Sequence, residues 1–198
     1  VGVIDGEGNR QSTAYDPHGN AVMVTERDGQ VSVSEYDHRG RRTARVLPGG
    51  ARHGWAFDDA DRVVEVVVEN GAQRAVTRYE YAGEDRNPSV AVDPSGGVTR
   101  FSWRRGLLAE VVDPTGVRVR FEHDSFGDLV ATTDAQGNTA RLERDAAGRV
   151  TAAITPLGHR TEYRYDAVSG ALVSRTDPTG ATWRYEHTAA GRQSAVVD

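Results

Sequence analysis

The stretch that decides the fold is residues 163–180, which read YRYDAVSGALVSRTDPTG. Two aromatic residues, Tyr163 and Tyr165, alternate with an arginine and lead into a turn that starts at Asp166. A second turn follows at residues 177–180, where Asp, Pro and Gly stand at the first, second and fourth positions. These are the preferences of a type I turn followed by a left-handed glycine, which closes short hairpin loops. The stretch predicts antiparallel strands joined by two hairpin turns.

The same pattern recurs along the whole chain with a period of about 21 residues. One series of turn glycines lies at 19, 40, 106, 127, 148, 170 and 191, with Asp61 in the glycine position once, and a second series lies at 96, 116, 137, 158 and 180. Two hairpin-type turns per period favour antiparallel strands over a parallel β-helix. We therefore expect about nine hairpins, with about 16 to 18 short strands. The predicted turns lie near 16–19, 37–40, 113–116, 134–137, 145–148 and 177–180.

The segments between the turns alternate with a period of two, as strands do. Trp183, Tyr185 and His187 alternate with Arg184 and Glu186. Neither face is uniformly apolar, which argues against a two-sheet sandwich because its inner faces must exclude water. The fold class expected is all-β, with tandem antiparallel β-hairpin repeats in one long, twisted, spiralling sheet that forms a partial shell.

Three places depart from the regular repeat. In the irregular repeat at 74–97, Ala82 stands where Asp is expected and residues 83–88 are rearranged, which predicts a bulge or a widened loop. Residues 103–106 lack one turn residue and predict a tighter hairpin. Asn70-Gly71 is typical of a type I′ turn.

Composition excludes several classes of site. Only 37% of the residues are hydrophobic, while 22 glycines and 27% charged residues indicate many turns and large solvated surfaces. Because there is no cysteine, disulfides, thiolate metal sites and cysteine nucleophiles are excluded. The net charge is -5, and all 24 basic residues are arginine, so no nucleic-acid partner is expected. No apolar run is long enough for a membrane span, and a start at Val1 suggests an internal piece of a longer chain.

Residues 163–180 resemble the YD repeat of Rhs proteins, and further copies lie at 15–19, 36–40, 121–127 and 144–148. The resemblance implies a spiralling strip of hairpins, as in bacterial Rhs effectors, insecticidal toxin complexes and teneurins, where a shell encloses or displays other segments. One family feature is missing. The Asp-Pro-x-Gly-Leu junction that releases a C-terminal toxin is not matched, because Gly97, Val117 and Ala181 follow the glycines at 96, 116 and 180.

The resemblance implies a function as well as a fold. It predicts that residues 1–198 form a single array that serves as a non-catalytic shell or scaffold segment of a secreted or surface-delivered bacterial protein. The implied partners are the remaining repeats of the parent shell and a toxin or C-terminal domain that the shell encapsulates or presents. Unpaired strand edges also predict edge-to-edge self-association. The alternative is a surface module that binds carbohydrate or protein through Trp183 and Tyr163.

We predict no catalytic, cofactor-binding or metal-binding residues, because each candidate set has a structural explanation. One aspartate per hairpin is explained as a turn-capping residue, since a catalytic pair needs two unequal environments. These aspartates are Asp16, Asp37, Asp58, Asp124, Asp145 and Asp166. The histidines lie beside turns or in aromatic positions of strands, without zinc-site spacing; the six are His18, His38, His53, His123, His159 and His187. Cross-strand packing is the favoured role of the aromatic rows.

Overall fold

The chain is built from short strands and tight turns in the residues that the computed structural model describes, which are 2–4, 6, 8, 10–188 and 191–197. This described part contains no helix, and therefore none that could cross a membrane. The chain divides into two compact units, Val1–Arg100 and Phe101–Asp198.

Nine strands lie wholly within the first unit. They are β1 (Gly2–Ile4), β2 (Arg10–Tyr15), β3 (Ala21–Thr25), β4 (Val31–Tyr36), β5 (Arg42–Val46), β6 (Arg52–Phe57), β7 (Val63–Asn70), β8 (Gln73–Tyr81) and β9 (Pro88–Val92). Strand β10 (Val98–Arg104) begins in this unit and ends in the second.

Nine further strands form the rest of the second unit. They are β11 (Leu107–Val112), β12 (Arg118–His123), β13 (Leu129–Thr133), β14 (Thr139–Arg144), β15 (Val150–Ile154), β16 (Arg160–Tyr165), β17 (Leu172–Thr176), β18 (Thr182–His187) and β19 (Gln193–Val197).

Each strand pairs antiparallel with its neighbours in sequence. In the first unit the ladders run from β1–β2 to β9–β10, and in the second they run from β11–β12 to β18–β19. All the strands belong to one sheet. The predicted antiparallel all-β class is confirmed. The described residues contain nineteen strands, more than predicted, partly because the short β1 also pairs with β2.

The six turns that the sequence predicts are all present. In each, the glycine N–H donates to the aspartate carbonyl three residues earlier at 2.9–3.1 Å. Gly148 is representative: its φ of 78° lies in the left-handed region, which glycine adopts without steric strain because it has no Cβ. Register shifts lie just before the Asp-led turns of one series, as between Arg164 and Tyr165. Such a shift is expected when a type I turn is followed by a left-handed residue.

Two of the predicted irregularities are confirmed, and the type I′ turn predicted at Asn70-Gly71 is wrong. Asn70 pairs with Gln73, so the turn residues are Gly71 and Ala72, and Gly71 has a positive φ of 58° whereas Ala72 does not. Asp61 and Arg105 adopt left-handed φ values of 63° and 53°, so Asp61 does take the glycine position and residues 105–106 close a tighter hairpin. At 82–87 the chain forms the widened loop, with Asp85 N–H donating to the Ala82 carbonyl at 3.1 Å.

The two faces of each unit carry different chemistry, because side chains alternate along each strand. One face, here the aromatic face, carries Trp55, Phe57, Tyr79 and Tyr81 in the first unit and Phe121, Leu142, Tyr163 and Trp183 in the second. The opposite face, here the charged face, carries Glu35, Arg52, Glu65 and Arg78 in the first unit and Glu122, Arg141, Glu143, Arg160 and Arg184 in the second.

The core is thin. Among the described residues, Ala44, Ala131 and Ala152 are at most 2% exposed, and no large side chain is fully buried. Most of the aromatic side chains are half-buried instead, while Tyr15 and Phe126 are exposed. A single sheet layer without a covering layer gives this result, because each large side chain is screened only by its neighbours on the same face.

Candidate functional site

The aspartates that the sequence singled out all lie at the first position of a turn. Asp145 is representative: its N–H donates to the Arg149 carbonyl at 3.0 Å, and its Oδ1 accepts from the N–H groups of Ala147 and Arg149 at 2.9 and 3.0 Å. The same pair of acceptor contacts recurs at Asp16, Asp37, Asp58 and Asp124. In the longer loop, Asp166 accepts from Val168 and Ser169. These carboxylates cap turns, as the sequence predicted.

At three of the described turns, the second carboxylate oxygen of the aspartate pairs with an arginine that reaches an aromatic ring of the next hairpin. Arg149 Nε donates to Asp145 Oδ2 at 2.7 Å, and the Arg149 guanidinium lies 4.9 Å from the centre of the Tyr165 ring. The Tyr165 hydroxyl in turn donates to the Val150 carbonyl at 2.8 Å. The hydrogen bond from Arg149 holds the pKa of Asp145 below its ordinary value. We name this Asp–Arg–aromatic set a turn bridge.

Two further turn bridges lie in the first unit. Arg41 pairs with Asp37 and lies 4.8 Å from the Phe57 ring centre. Arg62 pairs with Asp58 and lies 4.5 Å from the Tyr81 ring centre. These bridges were not predicted from the sequence, although the sequence contains a signal for them. In all three cases an arginine directly follows the residue in the turn-glycine position, which is Asp61 in one case and glycine in the other two.

Arg62 also organises the widened loop. Its Nη1 donates to the carbonyls of Gly83 and Asp85 at 2.7 and 2.9 Å. The stretch that breaks the repeat most strongly therefore has a structural partner in the preceding turn.

Ion pairs on the charged face close over small residues. In the second unit, Ala152 lies between Glu143 on β14 and Glu162 on β16, and the Arg160 guanidinium donates to both Glu143 carboxylate oxygens at 2.7 Å. The hydrogen bonds from Arg160 lower the pKa of Glu143. Because the pair bridges two strands above Ala152, it covers the methyl group and explains why this alanine is fully buried.

Two other ion pairs also span the strand of an alanine. In the Glu35–Arg52 pair the arginine lies two residues from the position opposite Ala44, as Arg160 does relative to Ala152, whereas Arg141 lies directly opposite Ala131. Glu35 and Arg52 reach across Ala44 in the first unit, with 3.3 Å between their charged atoms. Glu122 and Arg141 reach across Ala131 in the second unit at 4.0 Å. We name these Glu–Ala–Arg triplets. The alternation of charges in the sequence did not reveal them, because the partners are 17 to 19 residues apart and meet only through the register.

The aromatic face is held by ring and cation contacts. Arg175 lies 5.1 Å from the Trp183 ring centre on the neighbouring strand, and Phe101 and Trp103 have ring centres 6.3 Å apart. The Arg175–Trp183 contact is an example of the cross-strand packing that the sequence favoured, whereas Phe101 and Trp103 are neighbours on the same face of one strand, β10.

The histidines are dispersed over turns and strands. His53 lies 6.3 Å from Trp55, centre to centre, while His123 and His187 end β12 and β18. Within the described ranges, no three His, Asp or Glu side chains are grouped as a metal site would require.

A groove of about 680 Å³ lies between two neighbouring turns of the second unit and is open to solvent. Phe126, Val130 and Leu142 contribute its apolar lining, and Asp124 and Asp128 its acidic one. Asp124 and Phe126 lie in the repeat copy at 121–127, where Asp124 Oδ1 caps the turn, while Val130, Leu142 and Asp128 belong to no motif that the sequence singled out.

Comparison with known protein families finds one whose model matches this chain. A model described as RHS Repeat matches residues 15–52, 103–139, 144–169 and 168–198, which is more than half of the chain. The unmatched residues 53–102 include the irregular repeat.

Curated relatives are toxins and predicted nucleases of bacteria. The chain is 30% identical to Toxin protein Tse5 of Pseudomonas aeruginosa, over 70% of this chain and 11% of that protein. It is 29% identical to Probable deoxyribonuclease RhsB of Dickeya dadantii, over 76% of this chain and 12% of that protein. The chain therefore spans only about an eighth of the length of these relatives.

Solved structures with the same fold come from toxin complexes. The crystal structure of TcdB2-TccC3-TEV matches 96% of this chain and 12% of its own, with a TM-score of 0.62 and 18% identity. The Photorhabdus luminescens Tc holotoxin pore matches 99% of this chain and 13% of its own, with a TM-score of 0.60 and 16% identity. With hairpins in register, turns of one type and a family model that matches most of them, this chain belongs to the Rhs repeat family.

Proposed function

We propose that this chain is a structural segment of a shell that encloses or presents a toxin domain in a longer bacterial protein. The observation that carries the proposal is the two-faced hairpin array, in which each unit extends by adding the same hairpin and one face keeps its large side chains half-exposed. Relatives named as toxins, and the fold shared with toxin complexes, support it.

The side-chain contacts between hairpins are typical of a structural element and not of a catalytic site. Turn bridges and Glu–Ala–Arg triplets connect neighbouring hairpins, so a sheet of any length can be built from them. Six carboxylates and six arginines are occupied in these contacts, and further aspartates are occupied as turn caps. We therefore assign the segment no catalytic step, place any toxin activity elsewhere in the parent protein, and expect delivery outside the producing cell.

A pair of cysteine variants tests the enclosure. Ala140 and Arg141 are adjacent on β14, both are exposed, and they lie on opposite faces. The chain has no native cysteine, so Ala140→Cys and Arg141→Cys each place one thiol on one face. In the full-length parent, cleared of other reactive cysteines, a shell predicts that a bulky maleimide labels one position rapidly and the other only after unfolding.

The free 198-residue chain is the control, because both positions should react there at similar rates. Equal labelling of both faces in the parent protein would contradict enclosure.

A carbohydrate-binding module is the second candidate, and the Trp183 ring favours it because an indole face can stack on a sugar. A glycan array with the purified chain tests it. Specific binding that is lost in Trp183→Ala and in Tyr163→Ala would support the module, and absence of binding would remove it.

A further inference from the structure

The charged face of the second unit contains one position where the pattern of ion pairs is inverted. In one of the three triplets, Glu122 on β12 directly opposes Ala131 on β13, which directly opposes Arg141 on β14. Two hairpins later the same register joins Arg164 on β16, Ser174 on β17 and Arg184 on β18. The glutamate has become an arginine and the alanine has become a serine.

The position of Arg164 is a glutamate position in other hairpins. It is the last residue before the register shift, where the chain has Glu35, Glu80, Glu122, Glu143 and Glu186. Arg164 thus places a cation in register with Arg184, where the Glu122 row places a carboxylate in register with Arg141.

Neither arginine has a partner in the part of the chain that the structure describes. No ion pair or hydrogen bond joins Arg164 or Arg184 to a carboxylate, although most of the arginines of this face have one. Glu162, the nearest carboxylate on the strand of Arg164, is held by Arg160 at 3.1 Å. Glu186, two residues beyond Arg184, forms no ion pair with either arginine.

The geometry between the two arginines suits an anion. Their Cα atoms are two strand spacings apart, about 10 Å, and each side chain is long enough for its guanidinium to reach over the serine between them. Ser174 is half-buried and places a hydroxyl at the centre. The next row of the same face adds the hydroxyls of Thr176 and Thr182, which are 2.9 Å apart.

We propose that Arg164, Ser174 and Arg184 form a binding site for an oxyanion, such as a phosphate, sulfate or carboxylate group of a ligand or partner. The anion takes the place of the missing glutamate and neutralises the two guanidinium groups. Guanidinium groups bind tetrahedral oxyanions and carboxylates in a bidentate manner, and a hydroxyl supplies a third donor. The site goes beyond the structural role proposed above and does not depend on it.

A titration of the whole ¹⁵N-labelled chain with inorganic phosphate at low ionic strength tests the site. The expected result is a saturable shift of the Ser174 amide and of the Arg164 and Arg184 Nε–H signals, with little change at Arg160, which is already paired. Parallel titrations with sulfate and acetate show which oxyanion is preferred. Shifts of similar size at all exposed arginines, or no saturable shift with any of the three ions, would overturn the proposal.

Two variants make the test specific. Arg164→Glu gives a Glu–Ser–Arg row with the charges of the Glu122–Ala131–Arg141 row, so it should remain folded by circular dichroism and bind phosphate at least tenfold more weakly. Glu122→Arg, the matched control, creates an Arg–Ala–Arg arrangement without the central hydroxyl, and should gain a second phosphate site that is weaker than the first. Unchanged phosphate affinity in a folded Arg164→Glu chain would sink the assignment.

Discussion

One residue in each turn has a left-handed backbone conformation, and this conformation limits which side chains the turn tolerates. Gly148 has a φ of 78°, and a Cβ built on it would lie 3.1 Å from Asp128 Oδ2. We expect Gly148→Val to destabilise the chain by ~1–3 kcal/mol, because a β-branched residue is strained in the left-handed region. Gly148→Asn should cost clearly less, since asparagine tolerates this region. Chemical denaturation of both variants measures the difference, and equal losses would contradict the conformational explanation.

Two non-glycine residues lie in the left-handed region, and substitution by glycine should change the stability of the chain differently at each of them. Arg105 has a φ of 53° and no ion pair among the described residues, so Arg105→Gly should stabilise the chain by ~0.5–1 kcal/mol. Asp61 has a φ of 63°, but its Oδ1 accepts a hydrogen bond from Arg41 at 2.6 Å and lies 2.9 Å from Arg39 Nη1 in an ion pair. Asp61→Gly removes the backbone strain but also removes these two ion pairs, so it should not stabilise the chain. A gain of equal size in both variants would show that these ion pairs contribute nothing.

Turn aspartates make the chain sensitive to acid. The pKa of Asp145 is lowered below 3.8 by its hydrogen bond with Arg149, and the pKa of Asp16 is lowered by Asn20. A carboxylate with a lowered folded-state pKa adds stability that is present above its unfolded-state pKa and is lost as pH falls through the lower folded value. We expect the melting temperature to fall steeply below about pH 4. Asp145→Asn should flatten part of that fall, and an unchanged acid limb would contradict the assignment.

The strand pattern could be predicted from the sequence because each hairpin carries its own turn residues. Asp, Pro and Gly at fixed positions predicted the turns at 113–116 and 177–180, and alternation of Trp183, Arg184 and Tyr185 predicted β18. The pairing of Glu143 with Arg160 could not be predicted in the same way. It depends on which residue of β15 lies between them, and therefore on the exact register of two ladders.

Small residues beneath the ion pairs should be intolerant of added volume. Ala152 is 0% exposed below the Glu143–Arg160 pair, whereas Ala140 on the aromatic face of β14 is exposed. Ala152→Leu should destabilise the chain by ~1–3 kcal/mol, because the larger side chain must displace the ion pair or the strands. Ala140→Leu should change stability little, or raise it by covering a neighbour. The denaturant midpoints of unfolding of the two variants measure the difference in stability. Similar midpoints would mean that the triplet does not enclose its alanine tightly.

The contacts of the array are local, which gives the molecule a one-dimensional stability. Among the described residues, the ladders in each unit join strands that are adjacent in sequence, and the turn bridges join successive hairpins. Damage to one hairpin should therefore reach its neighbours and fade beyond them. The loop at 82–87, which the family model does not match, is accommodated for the same reason: Arg62 of the preceding turn holds it.

Sheet area limits what this chain can do alone. Nineteen strands at ~4.8 Å spacing, each about six residues long at ~3.3 Å per residue, provide on the order of 1,800 Å² of sheet, whatever its curvature. A folded domain of about 100 residues has a radius of gyration near 13 Å, and a layer around it at a radius of ~22 Å must cover roughly 6,000 Å². A toxin domain fused to the 198 residues alone should therefore be digested by protease as fast as the free toxin, while the full parent protects it. Complete protection by a monomeric fusion of this length would show that the area argument is wrong.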